Sequence, residues 1–246
     1  MQLEALLNYP RALPAMPRAV TDLLGEMNKD DPSPKRVGQL IGHDPALTTR
    51  VLRLSNSAFF RVSRRIGSAD EAVAMLGMTH VRSLVMAAAL GASFKNVPGV
   101  DLKQFWRYSL RVAEISRSLA GLLRQHEGNA FTAGLIHAIG DLIMHIAMPD
   151  LISPLDMGTP PLDLNRAQAE MSVFGYTYAQ VGAGMAEKWQ FPTTIVSALN
   201  NQISPFEGEA YDPLGGVLHI ASWRARAEEI QLDENGLVAT FPDLVG

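Results

Sequence analysis

Apolar positions recur along this chain at helical spacing, and prolines and small polar residues punctuate them. Pro34 follows Ser33 and Pro45 follows Asp44, so each pair offers a capping side chain and a proline at the first helical position, where a missing N–H does no harm. Two helices are predicted to begin there. Ser68 and Glu71 have capping-box spacing ahead of Ala72-Val73-Ala74-Met75-Leu76, and Gly77 is placed to end that short helix before Thr79 caps another. Between Asp101 and Gln125, residues Phe105, Leu110, Val112, Ile115, Leu119 and Leu122 keep a near-helical period, which predicts the longest helix of the chain. The segment from Asn129 to Ala147 is apolar on nearly all sides and reads as one central helix of a second lobe. Pro149, Pro154, Gly158, Pro160 and Pro161 then predict a loop, and helices follow over about 162–173, 177–190, 192–202 and 213–229. No run of strands stands out. The pattern predicts an all-α fold in a single domain over 1–246, with an N-terminal helical lobe at 1–98 and a second helical lobe at 99–246.

Composition narrows the chemistry. With 246 residues, 47% of them hydrophobic, there is ample material for a core. The absence of cysteine removes disulfides, thiolate nucleophiles and cysteine-bound zinc. The first residues carry no basic, apolar leader, and the longest purely apolar run, Leu84 to Leu90, is far short of the roughly 20 residues that span a bilayer. A cytoplasmic protein without membrane insertion is expected. A net charge of −4 argues against general nucleic-acid binding, yet residues 1–100 carry net +4 and residues 101–246 net −8. Arg50, Arg53, Arg61, Arg64, Arg65 and Arg82 cluster in the positive part and form a candidate face for an anion or partner. No phosphate loop, nucleophile elbow or dinucleotide fingerprint is present.

The stretch Phe131-Thr132-Ala133-Gly134-Leu135-Ile136-His137-Ala138-Ile139-Gly140-Asp141 carries the most chemistry. It has the frame of a metal-phosphohydrolase helix, in which an adjacent His-Asp pair binds a cation that acidifies a water for attack on phosphorus. Here alanine stands in the second place. His137, Asp141 and His145 at i, i+4 and i+8 offer a rival site on one helix face. However, i to i+8 spans about 12 Å, too far for both histidines to reach one ion.

Several segments, in order, resemble the HDOD family, a domain related to the HD phosphohydrolases and named as an HD-related output domain. They are Leu13-Pro14-Ala15-Met16-Pro17, Ile41-Gly42-His43-Asp44-Pro45-Ala46-Leu47, Leu52 to Phe60, Glu71 to Gly77, Phe105-Trp106-Arg107, Ala133 to His137, Gly182-Ala183 and Trp189-Gln190-Phe191-Pro192. The resemblance implies an all-helical bacterial signalling module. It also implies that Tyr108, Tyr178, Asn200 and Asn201 stand where active HD enzymes have histidines, that Ser222 is near the distal aspartate position, and that Glu170 holds the family's acidic position. Only His137 remains of the ligand set. The candidate site is therefore a vestigial pocket of Tyr108, His137, Asp141, Glu170, Tyr178, Asn200, Asn201 and Ser222, with no catalytic residue, metal or cofactor expected. Tyr176, Tyr178, Trp189 and Phe191 either pack in the core or stack on a base. The leading expectation is a non-catalytic regulatory protein that binds a signalling partner, with room for a small ligand. The alternative is a metal-dependent phosphohydrolase or cyclic-dinucleotide phosphodiesterase with rearranged ligands.

Overall fold

The computed structural model describes residues 1–9, 18–27, 29–56, 60, 62–94, 96–206 and 211–243, and every regular element among them is a helix. The all-α expectation holds. Two compact units form, one of Pro14–Lys95 and one of Met1–Leu13 with Asn96–Gly246. The first helix, α1 (Leu3–Leu7), therefore lies outside the lobe expected over 1–98. It packs in the larger unit, where Lys188 Nζ donates to the carbonyl of Leu7 at 2.9 Å and to Asn8 Oδ1 at 2.6 Å.

The smaller unit contains α2 (Arg18–Met27), α3 (Pro34–Gly42), α4 (Pro45–Ser55) and α5 (Ala69–Ser93), with α5 packed on the other three. Both proline starts are capped as the sequence requires: Ser33 accepts from the Arg36 amide at 3.3 Å, and Asp44 from the amides of Ala46 and Leu47 at 2.9 and 3.0 Å. Ser68 accepts from the Glu71 amide at 3.1 Å, but the Glu71 carboxylate reaches past the expected box to the Gly67 amide at 2.7 Å. Gly77 has φ 78°, a left-handed conformation open to glycine, and it interrupts α5 where the short helix was expected to end.

In the larger unit, α6 (Leu102–Leu122) runs 21 residues without interruption. It is followed by α7 (Glu127–Ile136), α8 (Ile139–Ala147), α9 (Pro149–Gly158), α10 (Arg166–Phe174), α11 (Tyr178–Lys188), α12 (Thr193–Asn201), α13 (Pro213–Glu229) and α14 (Glu234–Thr240). Helix α7 is packed by α6, α12 and α13, and α8 by α11. The segment Glu127–Ala147 has the length and, over its most apolar 18 residues, the mean hydropathy (1.4) of a membrane-crossing helix, but 89% of that window is buried within the fold.

That segment is not the single helix expected from Asn129 to Ala147. It breaks at His137–Ala138, because the Gln202 side chain donates to the His137 carbonyl at 2.9 Å and the Asp141 amide returns to Ala138 at 3.0 Å. Glycines set the packing on either side. A Cβ at Gly134 would lie 2.7 Å from the Cα of Ala113 on α6, and one at Gly140 would lie 2.0 Å from the Tyr178 carbonyl on α11. The helices touch backbone to backbone there, which holds His137 between them.

The loop expected across Pro149–Pro161 is also corrected. Pro149 opens α9 at a position that needs no N–H, and the helix tolerates Pro154 inside because most of α9 is at the surface and only Ile152 is buried. Helix α10 begins at Arg166 rather than near 162, and α14 was not anticipated.

Candidate functional site

Four elements converge on one buried guanidinium. Helix α6 brings Tyr108, α11 brings Tyr178, α13 brings Arg226, and the break between α7 and α8 brings His137. Arg226 Nε donates to the Tyr108 hydroxyl at 3.0 Å and Nη2 to the Tyr178 hydroxyl at 2.8 Å, while Nη1 reaches the Asp163 carbonyl at 3.5 Å. Burial pushes both phenols above their ordinary pKa, partly offset by the charge of Arg226, so both keep their protons at neutral pH. The His137 ring meets Tyr108 edge-on at 5.0 Å between centroids.

His137 is fully buried. Its Nδ1 lies 2.8 Å from the Gly134 carbonyl, which can only accept, so Nδ1 carries the proton and Nε2 is a bare lone pair. That Nε2 has no hydrogen-bond partner among the described residues. Burial first, and the nearby charge of Arg226 second, lower the imidazole pKa to about 3, so the ring is neutral across the physiological range.

A second buried guanidinium lies beside the first. Arg166 has no exposed surface and binds Glu170 through Nε at 2.8 Å, Asp156 through Nη1 at 2.6 Å and Asp141 through Nη2 at 3.3 Å, with Nη1 also on the Thr159 carbonyl at 2.6 Å. His145 lies against the same acids, with Nε2 at 3.0 Å from Asp156 Oδ2 and Nδ1 at 2.7 Å from the Asp141 carbonyl. Burial, then repulsion from Asp141, raises the Glu170 pKa to about 7, and burial raises that of Asp141. Glu170 joins the two centres by accepting from the Tyr178 amide at 2.7 Å. A cavity of about 360 Å³ opens against Tyr108, Asp141, Tyr178 and Arg226.

Of the sequence candidates, Tyr108, His137, Asp141, Glu170 and Tyr178 come together. Asn200 and Asn201 do not: Asn200 donates to Asn201 at 3.2 Å, and Asn201 to Ser197 and Asp212, both at 3.2 Å, at the separate start of α13. Ser222 donates to its own helix at the His219 carbonyl, 3.0 Å away, and the residue one turn further on, Arg226, takes the central place. The i, i+4, i+8 rival site fails because the helix breaks at its first member, and among the described residues no three His, Asp or Glu side chains are arranged to hold a metal. Tyr176, Tyr178 and Phe191 are buried in the core. Arg226, Arg166 and Asp156 were missed. Arg166–Glu170 at i, i+4 was a readable signal, as was Arg226 following Leu218 and Ser222 on the inward stripe of α13.

In the smaller unit Arg53, Arg64 and Arg65 line one shallow groove with Asn56. Arg64 pairs with Glu71 at 3.4 Å, and Arg50 and Arg82 do not line the groove; Arg82 is partly buried. Arg61 lies outside the described residues, as do Leu13 to Pro17.

The two shifted groups oppose each other in acid. His137, lowered from 6.5 to about 3, supports the fold fully above its ordinary pKa and loses that support as pH falls toward 3. Glu170, raised from 4.5 to about 7, supports the fold below 4.5 and loses that support as pH rises through 7. Relative to the parent, Glu170→Gln should steepen the loss of stability on acidification from pH 6.5 to 4.5 by about 1.4 kcal/mol per pH unit, and His137→Asn should change the slope by the same amount in the other direction. Urea unfolding at four pH values measures both. Slopes equal to the parent's would sink this account of the two groups.

Comparison with known proteins agrees with this architecture. A putative phosphohydrolase from Shewanella amazonensis SB2B has a solved structure 33% identical to this chain, with a TM-score of 0.80, matching 96% of this chain and 84% of its own. An HDOD domain protein of unknown function from Geobacter sulfurreducens is 24% identical with a TM-score of 0.75, over 99% and 86% of the two chains. An uncharacterised Treponema pallidum (strain Nichols) protein is 23% identical over 222 residues, 87% of this chain but 42% of its own length, and Bacillus subtilis (strain 168) YuxH is 24% identical over 55% of this chain and 33% of its own. This chain thus spans less than half the length of those two relatives. The HDOD domain model matches residues 13–205, the span that contains α6 to α12 with Tyr108, His137 and Tyr178, and the chain belongs to the HDOD domain family.

Proposed function

We propose that this chain is a non-catalytic regulatory module, acting through a partner protein rather than by turning over a phosphoester. The observation that carries this reading is the Arg226 guanidinium held by Tyr108 and Tyr178. By the family resemblance, those phenols stand where active HD enzymes place metal-binding histidines. Two protonated phenols and a fixed cation make a poor donor set for a divalent metal, and the one bare imidazole lone pair, on His137, feels the charge of that same cation. A guanidinium can hold an anion, but it has no open coordination position on which water becomes hydroxide. The residues do not fit a hydrolytic metal. Charge-bearing side chains instead knit α6, α8, α9, α10, α11 and α13 into one network, the sort of arrangement a signalling module can bias.

The alternative is a metal-dependent phosphohydrolase, favoured by the 33% identical Shewanella relative, itself named a putative phosphohydrolase. Elemental analysis of protein purified without chelator separates the two readings, together with phosphomonoesterase and cyclic-dinucleotide phosphodiesterase assays in manganese or magnesium. The regulatory reading expects no stoichiometric transition metal and no turnover above a His137→Ala control. Near one equivalent of metal, lost along with metal-dependent turnover in His137→Ala, would establish the enzyme instead.

A further inference from the structure

We infer that the cavity against Arg226 binds a small organic anion, whose carboxylate or phosphate oxygens are held by the hydroxyls of Tyr108 and Tyr178 and by the guanidinium itself. This deepens the non-catalytic reading and rests on it. The argument begins with hydrogen-bond capacity. A guanidinium has five N–H donors, and Arg226 uses one each on Tyr108, Tyr178 and the Asp163 carbonyl. Each phenol accepts from Arg226, so its own O–H must find a different acceptor. Neither has one among the described residues. Unsatisfied donors therefore collect around one charge, on three side chains that all line the same cavity.

Buried donors without acceptors cost free energy, and an anion would satisfy all of them together with charge-assisted bonds. Tyr108 and Tyr178 are 2% and 3% exposed and Arg226 is 6% exposed, so the bonds would form in a largely dehydrated setting where they count for more than at a surface. The acids on the cavity wall are already engaged. Asp101 caps α6 through the amides of Lys103 and Gln104, at 2.9 and 3.2 Å, and Asp141 is paired with Arg166. A metal cation or an amine would meet Arg226 as a like charge. Apart from Gln104, the rest of the wall, including Phe105, Pro160 and Leu162, is apolar and suits a short carbon skeleton. At about 360 Å³ the space admits a metabolite-sized molecule and not a polymer.

The test uses the full chain at constant ionic strength, exchanging chloride for inorganic phosphate in one series and for acetate in another, with the thermal midpoint and calorimetric titration as readouts. A saturable response to at least one anion is expected, weakened tenfold or more in the Tyr108→Phe/Tyr178→Phe double variant, which keeps both rings and removes both hydroxyls. Response to phosphate alone assigns a phosphate ester, and response to acetate alone a carboxylate. Arg226→Lys keeps the charge but loses the fork, and should weaken binding as well; the double phenylalanine variant decides the matter if that protein does not fold. No saturable binding of either probe, or binding within twofold of the parent in the double variant, would overturn the inference. Manganese titration of the same preparations keeps the two ideas apart. Silent anion titrations with no manganese-dependent turnover defeat the anion site alone, whereas manganese-dependent turnover defeats the non-catalytic reading whatever the anions do.

Discussion

Arg166→Leu should leave the chain close to unfolded at neutral pH and partly recovered in mild acid. The side chain has no exposed surface and is the shared counter-charge of Asp141, Asp156 and Glu170. Removing one partner of a buried ion pair typically costs about 3–5 kcal/mol, because the charge left behind has neither water nor partner. Here three carboxylates lose their guanidinium at once, so the loss belongs at or above the top of that range, against a total stability of about 5–15 kcal/mol for a typical domain. Protonation relieves the damage. Glu170 already titrates near 7 with Arg166 in place, and Asp141 is also raised by burial, so both would take up protons sooner without it. Urea unfolding at pH 5 and pH 7.5 measures the effect, and a loss below about 2 kcal/mol, or one independent of pH, would contradict it. The exposed pair Arg64–Glu71 at 3.4 Å gives the contrast, since Arg64→Ala should cost less than about 1 kcal/mol.

The fold was legible wherever local chemistry decides it. Ser33-Pro34 and Asp44-Pro45 cap their helices within three residues of sequence, and Gly77 kinks α5 through its own backbone freedom. The break at His137–Ala138 was not legible, because nothing local forbids a continuous helix there. It depends on Gln202, 65 residues away, taking the His137 carbonyl out of the helix ladder. Helix α9 was hidden for a different reason: Pro149 and Pro154 ahead of a terminal Gly158 look like punctuation, yet the first sits at N1 and the second sacrifices a bond on a mostly exposed helix. The misreading also hid chemistry, since α9 is the element that carries Asp156 to Arg166 and His145.

The site was half legible for a related reason. Tyr108, His137, Glu170 and Tyr178 could be aligned on the family's pattern and Asp141 followed from its spacing to His137, and these residues do come together. What fills the centre could not be inferred from lost ligands alone, because a search for metal donors passes over arginine. A buried basic residue on the inward stripe of α13 was the available clue, with Leu218 and Ala225 marking that stripe as core. Asn200 and Asn201 went astray because Asp212, which caps α13 through the Leu214 and Gly215 amides at 3.0 and 2.9 Å, also accepts from Asn201 and holds it at that end.

Arg226→Leu should destabilise the fold by about 3–5 kcal/mol, and adding Tyr108→Phe and Tyr178→Phe should restore most of the loss. The single change leaves two buried phenol oxygens without the N–H groups that now reach them at 3.0 and 2.8 Å, at about 1–3 kcal/mol each, along with the lost packing of the arginine stem. Removing all three polar partners leaves an apolar contact of similar shape, and such replacements are often nearly neutral. The three residues would thus show strong non-additivity, as members of one network should. A second readout follows from charge. Arg226 is one of the two influences that lower the His137 pKa, so Arg226→Leu should raise the imidazole pKa toward its ordinary value even though burial still opposes protonation, and an NMR titration of the ring would show it. A triple variant no more stable than Arg226→Leu, with the His137 titration unmoved, would mean that Arg226 serves as packing alone and that the cation at this centre does not organise the site.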